Sequence, residues 1–363
     1  MATGSNIQIL QYLVDTRELW TEATKTKDLE HVATRALDLL TGDERAKVLR
    51  FYFVADAKMA LVSHLLKHWV VATTCSIPWS QTQLGRDERG KPIFLRSSPA
   101  DNRGGEKQQQ QQQQQPVFFN VSHQAGLVSL IVATNRPRSG NGEGEGDDFG
   151  DTQIDVGTDI VCTSERRDRD HKMIREKGWS EFVDMHADVF GRAETEHLKH
   201  GNLLLASAAY DDDDDDDYGA SASANASAMT PGAIDAKLRA FYALWCYREA
   251  YVKMTGDALL ASWLNDLEFK DFRAPERAAA GSTTQVGQPA GQIRRDCEIL
   301  LAGEKVEDAN VCLRSLGPDF MTCSAVRTPG DKELAMGIEL GPYEWLSLEQ
   351  ILSDAEMAGG GGR

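Results

Sequence analysis

The stretch WCYREAYVK, residues 245–253, sets Trp245, Glu249 and Lys253 four positions apart, which on a helix puts all three on one face. On a solvated surface, next to an apolar anchor, a carboxylate and an ammonium one turn apart form an ion pair that steadies the helix slightly. Whether the stripe does more depends on what the rest of the chain brings to it.

Other stretches offer partners. IDVGTDIV (154–161) alternates as a strand, with Asp155, Gly157, Asp159 and Val161 on one side and Ile154, Val156, Thr158 and Ile160 on the other. Gly157 has no side chain and leaves room for a ligand to approach the backbone beside Asp159; an Asp at a strand end also serves simply to bond a turn. In FFNVSHQAG, Ser122 and His123 begin an expected turn, 122–126, between the apolar strands PVFFNVS and LVSLIVAT. Sequence neighbours rarely point at each other and no G-x-S-x-G elbow is present, so a Ser–His nucleophile is not indicated. GRDERGKPIF (85–94) gathers Arg86, Arg89 and Lys91 around a Gly-Lys-Pro turn. It reads as an ordinary hairpin or as a phosphate site without a Walker pattern. His64 and His68 stand at i, i+4, but without H-E-x-x-H they read as core or rim residues rather than metal ligands.

These residues need elements to hold them. Residues 42–75 have a helical apolar rhythm, with Leu61, Leu65 and Trp69 facing inward. Residues 237–256 form a second long helix ending at Gly256, a left-handed cap. LEFKDF, CEILLAG and DFMTCSAVR read as short strands, and SLEQILSDAEMA as a last helix with Ser347 and Gln350 as its capping box. Four biased segments, at 108–115, 139–151, 211–232 and 274–292, lack the apolar residues that offset ordering and read as insertions. The fold class expected is α+β: two pseudo-symmetric halves, each a small sheet on a long helix. The boundaries are 1–150 and 151–353, with 354–363 a flexible tail.

Composition narrows the function. A chain of 363 residues with 41% hydrophobic content and seven Trp folds as a globule. Its net charge of −17 is acidic even without the Asp211–Asp217 run, so a nucleic-acid-binding body is disfavoured and any phosphate is held locally. Six scattered cysteines without a C-x-x-C pair suit free thiols in a reducing compartment. No signal peptide and no run of about 18 apolar residues is present, which indicates a cytoplasmic protein with no membrane partner.

Taken in order, GKP (90–92), FNVSH (119–123), VGTDI (156–160) and WCYREAYVK resemble the 4'-phosphopantetheinyl transferases of the larger, Sfp-like type, in the style of the fungal and animal single-chain enzymes. AKVLRFYFVADAKMALVSHLLKH and IPW before these motifs, and MTGDALLASWLNDLEF after them, add to the resemblance, which spans about 41–160 and 237–270. It implies transfer of the phosphopantetheine arm of coenzyme A to a serine of apo carrier proteins, with coenzyme A and Mg²⁺ in a cleft between the halves. It makes Asp159 and Glu249 the metal ligands and Glu249, Lys253 and His123 the catalytic residues. Lys47, Arg86, Lys91, Ser122, His123 and Lys253 would bind coenzyme A, and Trp245 would anchor its helix in the core. Three departures stand out: Thr158 replaces an apolar residue, Val161 stands where a second acid is often found, and Arg248 replaces Lys. A water or Gln124 would complete the metal shell. The family's carriers serve fatty-acid, polyketide, peptide-synthetase and lysine-pathway chemistry, and its single-chain members hold the whole site in one polypeptide, hence a monomer. The alternatives are another coenzyme-A-dependent transferase and a catalytically inactive carrier-binding protein.

Overall fold

A computed structural model describes residues 7–95, 116–135, 153–201, 203, 229–257, 261–277 and 291–359. In the first half, β1 (Ile7–Asp15) leads through two single-turn helices, α1 (Leu29–Val32) and α2 (Thr34–Leu37), to α3 (Gly42–Val48) and α4 (Val54–Cys75). The two-stranded hairpin β2 (Leu84–Arg86) and β3 (Pro92–Phe94) follows, then β4 (Val117–Gln124) and β5 (Leu127–Asn135). Strand β5 pairs antiparallel with both β1 and β4. The β4–β5 turn is only Ala125–Gly126, both at positive φ (48° and 86°), the geometry that matches strand twist in a two-residue hairpin. Ser122 and His123, expected in the turn, therefore belong to the strand. Helix α4 lies on β4 and β5 and buries Leu61, Leu65 and Trp69 as its rhythm requires.

The second half repeats the plan. Strand β6 (Asp155–Cys162) is followed by α5 (Arg167–Lys177), α6 (Trp179–Asp184), α7 (Arg192–His200) and the long α8 (Pro231–Thr255). Next come β7 (Leu267–Lys270), β8 (Ile293–Arg294), β9 (Glu298–Leu301), β10 (Glu304–Lys305), β11 (Ala309–Leu316) and β12 (Phe320–Arg327). A four-stranded sheet runs β6-β12-β11-β8, and α8 packs across β6 and β12. Helix α8 starts at Thr230, whose hydroxyl accepts from Ala233 N, with Pro231 in the first turn; it stops at Gly256, φ 81°. The expected α+β plan of small sheets on long helices is what the chain adopts.

The halves meet along β4 and β6. Alternate residues of β4 reach across: Asn120 Oδ1 accepts from Thr158 N at 3.1 Å, Ser122 Oγ donates to Asp159 Oδ1 at 2.9 Å, and Gln124 Oε1 accepts from Cys162 N at 3.2 Å. Asn120 and Gln124 thus satisfy two edge amides of β6, while Ser122 holds the Asp159 side chain.

Three expectations change. The helix expected over 42–75 is broken at residues 49–53, which leaves Phe51, Tyr52 and Phe53 exposed. The last segment does not stay with the second half. After α9 (Lys332–Gly337), strand β13 (Glu344–Trp345) pairs parallel with β1, and α10 (Leu348–Gly359) buries Ile351 and Leu352 in the first-half core. The tail expected from 354 is helical to 359, where Asp354 accepts from Trp69 Nε1 at 2.8 Å. Ser347 caps this helix as expected, its hydroxyl accepting from Gln350 N. The insertions at 108–115 and 139–151, and most of those at 211–232 and 274–292, lie outside the described residues. None of the six cysteines is joined in a disulfide.

Candidate active site

Gly157 sets the site's geometry. A Cβ there would stand 2.2 Å from Ala250 O and 2.4 Å from Met254 N, so only glycine lets the α8 backbone lie directly on β6. The room expected for a ligand is filled by the helix. That contact brings Lys253 over Asp159, two residues along the same strand face. Lys253 Nζ lies 2.5 Å from Asp159 Oδ1 and 2.9 Å from Ser122 Oγ, closing a triangle with the Ser122–Asp159 bond.

Glu249, one turn earlier on α8, faces the same cleft. Burial raises its carboxyl above the ordinary range and the Asp159 charge adds to this, while Lys253 opposes it. Burial would lower the Lys253 ammonium, but Asp159 outweighs it and holds it above its usual value. His123 is pushed down by burial and by Lys253, so its ring favours the neutral form.

The cleft holds about 560 Å³. Ser122, His123, Asp159, Glu249 and Lys253 line it together with the aromatic residues Phe182, Tyr242 and Trp245. Trp245 is half-buried: it packs on the core cluster, stacking on Phe241 with ring centroids 6.2 Å apart, and also lines the cleft.

A group of cations gathers nearby on the first half. Lys67 on α4 has its ammonium pushed down to about 8, first by burial, with Arg86 and Lys47 adding repulsion against the pull of Glu44. The positive charge of Lys67 also reaches His123. Lys47 and Arg86 are exposed. Beneath them Glu44 ties α3 to α4, its Oε1 lying 3.2 Å from His64 Nδ1 and 3.0 Å from His68 Nε2. His68 Nδ1 in turn meets Thr82 Oγ1 at 2.7 Å. His64 and His68 thus both face one carboxylate, from a rim and a core position.

A family model for the N-terminal domain of 4'-phosphopantetheinyl transferases matches residues 27–135, and a model for the 4'-phosphopantetheinyl transferase superfamily matches residues 155–298. The chain is 40% identical to 4'-phosphopantetheinyl transferase 1 of Fusarium mangiferae over 354 residues, covering 98% of this chain and 97% of the relative. The chain belongs to the 4'-phosphopantetheinyl transferase family. A 4'-phosphopantetheinyl transferase of Aureobasidium melanogenum is 34% identical over 96% of this chain and 97% of its own. A Schizosaccharomyces pombe relative, L-aminoadipate-semialdehyde dehydrogenase-phosphopantetheinyl transferase, is 28% identical over 42% of this chain and 48% of its own.

The departures of this phosphopantetheinyl transferase from its family's motifs each have a local partner. Thr158 is buried but bonded at 2.9 Å to Tyr343 OH, which also meets Ser324. Arg248 turns away from the cleft into a fully buried pair with Glu194 at 2.6 Å, and donates to Leu267 O and Leu264 O. A planar fork bonds several acceptors at once, which a lysine ammonium at this depth does less well. Val161 is buried in the α8 cluster. Gln124, at the edge of the cleft, accepts from Cys162 N through Oε1 and donates from its amide to Glu165 Oε2 at 2.6 Å. Lys91 points to the end of α8: its ammonium bonds Met254 O at 2.7 Å and Asp155 Oδ1 at 3.3 Å. Lys67 escaped the sequence reading. Its signal was present, as the only Lys, Arg, Asp or Glu between Met59 and Cys75 in an otherwise apolar helix.

Proposed function

We propose that the protein transfers the 4'-phosphopantetheine arm of coenzyme A to a serine of apo carrier proteins and releases 3',5'-adenosine bisphosphate. The observation that carries this reading is the meeting of Ser122, Asp159, Glu249 and Lys253, drawn from both halves, within electrostatic reach of His123 and its neighbouring cations.

Asp159 and Glu249 are two oxygen-donor carboxylates that line one cleft, with the Lys253 ammonium on Asp159. One or two carboxylates, completed by phosphate oxygens and water, are the donor set that Mg²⁺ takes at nucleotides. These residues therefore fit Mg²⁺, which when bound would neutralise the diphosphate and stabilise charge on the leaving oxygen.

The chain's own groups do the rest. Lys253, kept protonated by Asp159, faces the same leaving oxygen. Lys47, Lys67 and Arg86 hold the nucleotide phosphates, with Ser122 and His123 at the diphosphate end. Glu249, lining the same cleft, is the group placed to take the proton from the carrier serine. The serine Oγ bonds to the pantetheine phosphorus as the P–O bond within the diphosphate breaks, and the electron pair leaves with the nucleotide.

Both halves lie in one chain, which supports a monomer. Among the described residues no helix is long and apolar enough to cross a membrane, which fits a cytoplasmic enzyme. A relative named for an L-aminoadipate-semialdehyde dehydrogenase partner extends the expected carriers to lysine-pathway enzymes beside fatty-acid, polyketide and peptide carriers.

Incubating an apo acyl carrier protein with coenzyme A, Mg²⁺ and this protein should add the mass of one phosphopantetheine. Carrier binding without mass gain would leave an inactive binding protein instead.

A further inference from the structure

We propose that Lys91 is a positioning residue that closes the C-terminus of α8 across the two halves and so sets where Lys253 stands, in place of binding coenzyme A. This rests on the transferase reading above.

The last carbonyls of a helix have no partner within it, and a cation there satisfies both the lone pairs and the helix dipole. Lys91 Nζ takes Met254 O at 2.7 Å, and Arg89 Nη1 takes Thr255 O at 2.9 Å. Met254 directly follows Lys253, so this grip acts one residue from the ammonium on Asp159. Asp155, on the same strand face as Asp159, holds Lys91 from below at 3.3 Å. Only 14% of each side chain of the Lys91–Asp155 pair is exposed.

The arrangement is built in from three sides. Asp87 Oδ1 accepts from Arg89 N at 3.0 Å and from Lys91 N at 2.8 Å, which fixes the turn that presents both cations. Gly256 leaves the path open, because a Cβ there would stand 2.7 Å from Lys91 Cδ and 3.2 Å from Arg89 Cβ. Moving the Lys91 ammonium to a phosphate would strip a buried carbonyl and a carboxylate of their donor. The same hairpin carries Arg86, so the Gly-Lys-Pro turn joins the nucleotide-facing cations to the end of the catalytic helix.

The test uses the full chain with Lys91→Met, Lys91→Arg and Asp155→Asn. It reads transfer kinetics on an apo carrier and coenzyme A binding by titration calorimetry. Lys91→Met should lower kcat about tenfold while the Kd for coenzyme A stays within about twofold, a split that marks lost positioning rather than lost binding. Lys91→Arg, able to reach the same acceptors, should recover most of kcat. Asp155→Asn, which removes no cation, should lower kcat in the same direction without weakening coenzyme A, and it stands in if Lys91→Met does not fold. A weakened Kd with kcat retained, or no change in either, overturns the proposal. A wild-type chain that transfers nothing overturns the transferase reading instead.

Discussion

The ammonium of Lys253 lies 2.5 Å from Asp159 Oδ1, and both groups also bond Ser122 Oγ, so the helix, the strand and the opposite half converge on one point. Asp159 is buried and Lys253 is partly open to the cleft. Replacing Asp159 with Ala removes the carboxylate at the centre of this triangle. Transfer should fall about 10³-fold, the scale seen when a preorganised charge-stabilising group is lost. Coenzyme A binding through Lys47, Lys67 and Arg86 should persist in calorimetry. A coenzyme-A transferase that works without paired carboxylates would keep its turnover in this variant.

Gly157→Ala tests the helix–strand contact without touching a charged group. Its methyl would meet backbone atoms of Ala250 and Met254 at 2.2–2.8 Å, and backbone cannot step aside as a side chain can. Overpacking of this kind costs about 1–3 kcal/mol. The larger effect falls on kcat, because moving α8 by about 1 Å misaligns Glu249 and Lys253 over Asp159 and costs on the order of 100-fold. Thermal unfolding and turnover measured together should show activity lost well beyond stability.

Lys67 gives coenzyme A binding a pH dependence of its own. Its ammonium, ordinarily protonated to pH 10.5, is held down to about 8. The charged form is the one that attracts phosphate, so KM for coenzyme A should rise as pH climbs through about 8. Lys67→Met should raise KM roughly tenfold below that pH and flatten the profile above it. A KM profile identical to that of the wild type would exclude Lys67 from the phosphate site.

Glu44 ties stability to acid. Burial would raise its carboxyl, but hydrogen bonds from His64 and His68, the His68 charge and Thr41 N hold it far below its ordinary 4.5. A carboxylate depressed by folding contributes stability that is complete above its unfolded pKa and fades as pH falls below it. Glu44→Gln should therefore lose about 2 kcal/mol at pH 7 in urea unfolding, with the gap to wild type narrowing below about pH 4.5. A gap independent of pH would mean that packing, not charge, is what Glu44 supplies.

Periodicity served the sequence reading well wherever one local rule decided the outcome. The alternation of 154–161 put Asp155, Gly157, Asp159 and Val161 on one face, and that face is the one α8 covers. The end of α8 at Gly256 followed from the same local logic. What stayed hidden depended on distance along the chain. Lys91 and Lys67 are both lysines near a nucleotide-binding motif or helix, and only the fold assigns one to a helix terminus and the other to a cluster of cations. Trp245 reads as a core residue by hydropathy, yet its stripe-mates are Glu249 and Lys253, and the whole stripe faces the cleft. Strands β1 and β11 and helices α5 to α7 were not read at all, since their place depends on partners far along the chain.

The parallel pairing of Glu344–Trp345 with β1 bears on the order in which the molecule is made. The sheet that begins at Ile7 receives its outer strand from beyond the second half, and Leu348–Gly359 packs on α4, the helix that covers that sheet. A nascent chain emerging from the ribosome can build β1, α4, β4 and β5 early but must hold that edge open until the second half has also been made. Closure of the first half thus waits on residues that follow the second, and a premature stop just before Tyr343 would leave its hydrophobic seam unfinished.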